Sequence, residues 1–198
     1  MRGAGCARSR SQLAPRGHGS TGGLEARHNR GVVAAPPGVV IVRLRKESPK
    51  KCSLTALRRR KEAGFRWIHC EAGDPIEIGE ATLLHPDGEL IGVEDAGRPL
   101  LLVDASWRDL PRVLRGLRGT LHRRRLPEGL RTAYPRASAS FDDPASGLAS
   151  IEALHAALAL LGRRDDGVLQ GYHWAADWLR GNSDILAAPA GPAEAAPA

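Results

Sequence analysis

Residues 99–107, PLLLVDASW, decide how the rest of this 198-residue chain reads. The apolar run from Pro99 to Val103 does not alternate, so it cannot be a strand with one wet face. It predicts a strand covered on both faces, as in the sheet of an α/β protein. The run then breaks into Asp104, Ser106 and Trp107. In open α/β sheets ligands collect at the carboxyl ends of strands, and these are the residues that would meet them. Asp104, flanked by Val103 and Trp107, reads as a general base if it is desolvated, or as an acceptor that caps the next helix. Ser106 with Asp109 fits a capping box.

Working outward, VVIVRL (39–44) is a β-branched run bounded by Pro-Gly and predicts a second buried strand. FRWIHC (65–70) alternates and predicts a third. Between them LTALRRRKEA (54–63) reads as a short helix with Ser53 as its N-cap and Gly64 as its stop. ATLLHPDGEL (81–90) reads as two short apolar pieces around a Pro-Asp-Gly turn. Leu110, Val113, Leu114, Leu117 and Leu121 recur at helical spacing, with Arg108, Arg112, Arg115 and Arg118 on the other side, and predict a helix over 109–121. SIEALHAALALLG predicts a helix over 150–162, with Ser150 as N-cap and Gly162 as C-cap. GYHWAADWLRGN predicts another, with Trp174 and Trp178 one turn apart. Residues 1–37 and 183–198, rich in Gly, Pro, Ala and Arg, read as a disordered leader and tail.

The net charge is +7, and it is blocked along the chain. Residues 43–66 carry ten basic and two acidic side chains, 67–107 one and nine, and 108–136 nine and two. If folding brings the two basic blocks together they make one face suited to a polyanion; otherwise they are separate solvated surfaces. The three cysteines have no CxxC spacing, and the seven histidines are scattered, which speaks against a zinc site or disulfide framework. GxGxxG, Walker and GxSxG motifs are absent, which removes the standard dinucleotide, P-loop and serine-hydrolase readings. No apolar run reaches the about 18 residues of a membrane span, so a soluble cytoplasmic protein is expected.

Five segments in order, Pro49-Lys50-Lys51-Cys52-Ser53, Leu84-His85-Pro86-Asp87-Gly88, Val103-Asp104-Ala105-Ser106-Trp107, Arg125-Leu126-Pro127 and Ser150-Ile151-Glu152-Ala153-Leu154, resemble one family. It is the small-subunit ribosomal RNA aminocarboxypropyltransferase family, a ribosome biogenesis family whose N-terminal domain is similar to that of the RNase L inhibitor. Its patterns are D-P-K-K-C-[ST], L-S-P-x-G, V-D-C-S-W, R-x-L-P and L-S-x-x-E-A, and the likeness spans about residues 39–182. Ala105 stands where the family has Cys, and Tyr134 to Ser138 replace its N-P-V-N-Y-G segment.

The resemblance implies a small N-terminal β-rich domain (38–95) and a SPOUT-like knotted α/β domain (96–182) that binds S-adenosylmethionine, with no metal. It implies transfer of the 3-amino-3-carboxypropyl group to N3 of a uridine-derived base in small-subunit ribosomal RNA. Carried over by position, the cofactor contacts are Ser53, Val103, Trp107, Leu126, Ser146 and Ser150, and Asp104 is the catalytic candidate. The RNA contacts expected with them are Lys50, Lys51, Arg58, Arg59, Arg60, Arg112, Arg115, Arg123, Arg124 and Arg125. Two other readings stand beside this one. The DTW-domain proteins, distant relatives, modify uridine in transfer RNA. A non-catalytic RNA-binding assembly factor would keep the basic face without the cofactor pocket.

Overall fold

The computed structural model describes residues 38–48, 52–135 and 147–187; Lys50, Lys51 and Ser146 lie outside them, as do the leader and most of the tail. The described residues form a mixed α/β fold around five strands: β1 (Val39–Leu44), β2 (Phe65–Cys70), β3 (Ile76–Leu90), β4 (Leu100–Asp104) and β5 (Leu117–Arg125). The order across the sheet is β2-β1-β4-β3-β5, and every pairing is parallel. Strands from both sides of residues 95 and 96 therefore interleave in one sheet, with β4 between β1 and β3.

The non-alternating runs occupy the middle of the sheet, as expected. Every residue of β1 is buried. Val39 and Ile41 join Leu100 and Leu102 in a core on one face, while Val40, Val42 and Leu44 join Leu101 on the other. Helices α1 (Thr55–Arg60), α3 (Ser150–Leu160), α4 (Ala175–Gly181) and α5 (Ser183–Leu186) supply the first core, and α2 (Leu110–Gly116) the second. Helix α3 is buried almost all round, which its near-continuous apolar sequence permits. Trp178 packs fully buried against it, with Nε1 donating to His155 Nδ1 at 3.1 Å. Trp174 meets Tyr134 and Tyr172 edge-on. Order continues to Leu186, which is buried in the core, so the fold runs past Asn182, where the sequence reading ends it.

Five local expectations are corrected. The helix expected over 109–121 stops at Gly116, and Leu117–Arg125 form β5. A Cβ at Gly116 would sit 2.1 Å from the Asp74 carbonyl oxygen, and Gly119 adopts φ +132, which no helix allows, with a Cβ position 2.0 Å from the Gly79 oxygen. Tertiary approach thus overrides a helical spacing that was real. The Pro-Asp-Gly piece does not reverse the chain. Leu84 and Glu89 both register against Arg124, so residues 85–88 bulge out of one long strand. Ser53 does not cap α1, whose N-cap is Leu54, and Ser150 is the first residue of α3, whose N-cap is Ala149. Ser106 Oγ donates directly to Asp109 Oδ2 at 2.6 Å, with Lys46 Nζ at 2.7 Å from the same oxygen, in place of a capping box. Hydrogen bonds from Lys46 and then Ser106 hold the Asp109 carboxyl below its ordinary range.

Candidate active site

Register places the chemistry. Parallel pairing sets Arg43 of β1 beside Asp104 of β4 at the carboxyl end of the sheet. Both are buried, and Arg43 Nη1 donates to Asp104 Oδ2. Arg43 Nη2 reaches the Glu47 carbonyl oxygen at 3.0 Å, and the Glu47 carboxylate accepts from Ser106 N at 2.9 Å, which ties the segment after β1 to the turn after β4. Cys52 donates its thiol to Asp104 Oδ2 at 3.3 Å, and Ser150 Oγ donates to Oδ1 at 2.7 Å. Burial, and then the Asp104 carboxylate, push the Cys52 thiol up to about 11. It is a donor and packing residue, not a thiolate.

The amino end of α3 abuts this cluster. Its Ile151 N–H donates to Ser53 Oγ at 3.2 Å, so Ser53 serves a helix 98 residues away instead of its own. Glu152, fully buried, holds the other side. Its Oε1 accepts from Ala133 N (2.8 Å) and the Tyr172 hydroxyl (2.9 Å), and its Oε2 from Thr132 Oγ1 (2.6 Å) and Ala149 N (2.9 Å). Four donors on one carboxylate fix the 130s loop to the start of α3.

Between these anchors lies a cavity of about 660 Å³. It is lined by Leu102 and Val103 of β4 and Ala105 just beyond it, by Trp107 and Leu110, by Arg125 to Leu130, and by Gly147, Leu148, Ser150 and Ala153. Leu84 and, from the bulge, His85 and Pro86 complete the lining. That size and apolar lining, with few convergent polar groups, suit a nucleoside-sized ligand. Of the residues expected at a cofactor site, Val103, Trp107, Leu126 and Ser150 line this cavity together. Ser53 stands one contact behind, at Ile151 N. Asp104 also stands behind the wall, touching it through Ser150. Its described contacts are internal donors, a position for orienting a wall residue.

The sequence does not single out His85, since the histidines are scattered along it. The bulge puts it in the cavity wall, where Asp87 N donates to its Nδ1 at 3.1 Å. Burial, with help from the Arg123 guanidinium, lowers its pKa, which favours the neutral imidazole. No group of side chains among the described residues could hold a metal ion. No helix among them is long and apolar enough to cross a membrane.

The arginines expected at RNA divide. Arg59, Arg112, Arg115 and Arg123 are exposed, and Arg125 lines the cavity. Arg58 lies 3.4 Å from His69 Nε2. Arg60 is occupied by the carbonyl oxygens of Gly167 and Gln170 at 2.9 Å. Arg124 is held by Asp95 and Glu89 at 2.9 Å. The basic block 123–125 thus contains one internal strut, Arg124, between two side chains that face outward or into the cavity.

A second cavity, about 500 Å³, opens at the opposite end of the strands between Gly38, Val40, Phe65, Ile78 and Pro99. Arg66 is the one ionisable side chain that lines it.

No family model and no curated protein matches the chain. Among solved structures it is similar to the SAM-dependent rRNA:acp-transferase Tsr3 from Vulcanisaeta distributa. The two are 27% identical with a TM-score of 0.57, over 77% of this chain and 82% of that one.

Proposed function

We infer that this chain belongs to the small-subunit ribosomal RNA aminocarboxypropyltransferase family. In this reading it moves the 3-amino-3-carboxypropyl group of S-adenosylmethionine to N3 of a uridine-derived base in small-subunit ribosomal RNA, as a step of ribosome biogenesis. The observation that carries the inference is the convergence of Val103, Trp107, Leu126 and Ser150 on one cavity at the strand ends. The solved transferase structure supports it independently. On the same reading the protein works on RNA in the cytoplasm, and its cofactor domain has the knotted SPOUT arrangement.

The residues fit such a co-substrate. The cavity volume and apolar walls suit an adenosine, and the amino end of α3 suits an anionic amino-acid end. When bound, S-adenosylmethionine supplies an electrophilic carbon beside its sulfonium. The chain's task is then positioning, which is worth a large part of such a barrier. Leu84, Val103 and Leu126 make an apolar wall that shields the carbons that must not react, while Trp107 offers a ring face to the bases or adenine. Ser53 and Ser150 bracket the amino end of α3, and Ser146 is proposed to complete that wall. Asp104 orients Ser150 by accepting its hydroxyl proton. Exposed Arg59, Arg112, Arg115 and Arg123 are proposed to carry the phosphate contacts, with Lys50 and Lys51.

The test is mass spectrometry of ribosomal and transfer RNA from cells with and without the gene. Loss of an aminocarboxypropyl-uridine from small-subunit RNA is the expected result. Its loss from transfer RNA would transfer the activity to the other substrate, and no loss together with no titratable S-adenosylmethionine binding would overturn the enzyme reading.

A further inference from the structure

The cluster behind the cavity wall sets a hydrogen-bond direction. Asp104 accepts from Arg43 Nη1 and Cys52 Sγ on Oδ2 and from Ser150 Oγ on Oδ1. A guanidinium can only donate, so the oxygen facing it must accept. A serine hydroxyl has one proton, and Ser150 gives it to Asp104. The Ser150 oxygen therefore meets the cavity with lone pairs alone. Were it turned to donate into the cavity, the buried Oδ1 would lose that donor.

We propose that Ser150 accepts a hydrogen bond from the α-ammonium of the transferred aminocarboxypropyl group, and that Arg43 and Asp104 are the positioning residues that set this polarity. The proposal rests on the cofactor reading above. An amino-acid end carries its carboxylate and ammonium on the same carbon. The amino end of the 11-residue helix α3 favours the carboxylate, so an acceptor at its first residue takes the ammonium. Arg43 is what keeps the acceptor direction stable. It is 3% exposed at the carboxyl end of an inner strand of a parallel sheet, an expensive place for a cation without such a partner. Without the guanidinium, Oδ2 keeps only the Cys52 thiol, and the carboxylate is no longer fixed toward Ser150. Ser150 is then free to turn its hydroxyl toward the cavity as a donor.

The experiment is isothermal titration of the full chain with two unreactive thioethers, S-adenosylhomocysteine and its counterpart lacking the amino group, S-adenosyl-4-thiobutyrate. The wild type should prefer the amino ligand by about tenfold or more, the worth of a charge-assisted bond. Ser150→Ala should bring the two affinities together while leaving the deaminated ligand bound as by the wild type. Arg43→Met should lose the preference as well, and Arg43→Lys, which restores the buried charge, should recover most of it. A merely structural role for Arg43 would weaken both ligands equally and leave the ratio unchanged, which overturns its assignment. If Arg43→Met does not fold, the Ser150→Ala ratio decides. A preference that survives in Ser150→Ala, or is absent in the wild type, overturns the proposal while the cofactor reading stands. Binding of neither ligand by the wild type overturns that reading itself.

Discussion

The two cavities sit at opposite ends of the same parallel strands, and they differ in what the backbone delivers to them. At the carboxyl end, β1 and β4 bring up Arg43 and Asp104, α3 begins, and four residues from three sequence segments meet in one wall. At the amino end, β1 and β2 begin from Gly38 and Gly64, and the lining is apolar apart from Arg66. Both hollows are of similar size, so size alone does not make a site. Polarity does, and it follows from all strands pointing one way, which collects strand ends, helix starts and the connections between them on a single edge.

The largest test of that contrast is structural. Glu152→Ala removes the acceptor of four donors that join the 130s loop to α3. Denaturant unfolding should show a loss of about 3–5 kcal/mol, as for other broken buried networks. Arg66→Ala, at the other end, should stay within about 0.5 kcal/mol. Equal losses would mean that the two ends are supported alike.

Filling each hollow separates occupancy from stability. Ala153→Phe projects a ring into the carboxyl-end cavity and should weaken S-adenosylmethionine by on the order of a hundredfold. Ile78→Phe fills the other and should leave the affinity unchanged. If Ile78→Phe is the variant that blocks binding, the site has been put at the wrong end. A smaller effect is expected from Trp107→Ala. Trp107 is 38% exposed, so its loss should cost little stability but about tenfold in cofactor affinity by titration.

How much of this contrast was legible beforehand depends on the kind of signal. The non-alternating runs of β1 and β4 announced a sheet covered on both faces because burial on both sides leaves no other pattern. The residues at the end of β4 were legible for the same reason: the chain turns polar where the cover ends. β5 was not, because Leu110 to Leu121 obey helical spacing, and only the close approach of Gly116 to Asp74 and of Gly119 to Gly79 ends the helix. Arg43 looked like one more member of a basic block, since its partner is 61 residues away and appears only through the strand register. Likewise the service of Ser53 to α3 spans 98 residues, beyond any local capping rule. His85 becomes a wall residue only once residues 85–88 bulge from β3 instead of turning the chain.

The basic block 123–125 offers a finer break within the carboxyl end. Arg123 is exposed, whereas Arg124 is bound to buried Asp95. Arg123→Glu should weaken RNA binding severalfold and lower the slope of log affinity against log salt by about 0.7 for each single-strand phosphate it no longer neutralises. Arg124→Glu should instead lower stability, since it sets a second carboxylate against Asp95. Measured side by side, the pair distinguishes a surface that holds RNA from one that only looks basic in sequence.

The smallest effect concerns pH, and it again sets one end against the other. Burial, then Arg123, hold the His85 imidazole below its ordinary value, while Asp87 opposes them. As pH falls below about 6.5 the unfolded chain takes up this proton before the folded one. Stability from this group is therefore present at neutral pH and lost on acidification. In His85→Gln the decline in unfolding free energy between about pH 7.5 and 5.5 should be shallower than in the wild type. His69, which burial and Arg58 also hold low, keeps part of the slope in both proteins. No histidine lines the amino-end cavity, so Arg66→Gln should leave the slope as it is. An unchanged slope in His85→Gln would mean that the imidazole is as free to take a proton in the folded chain as in the unfolded one. It would then be no fixed neutral part of the cavity wall.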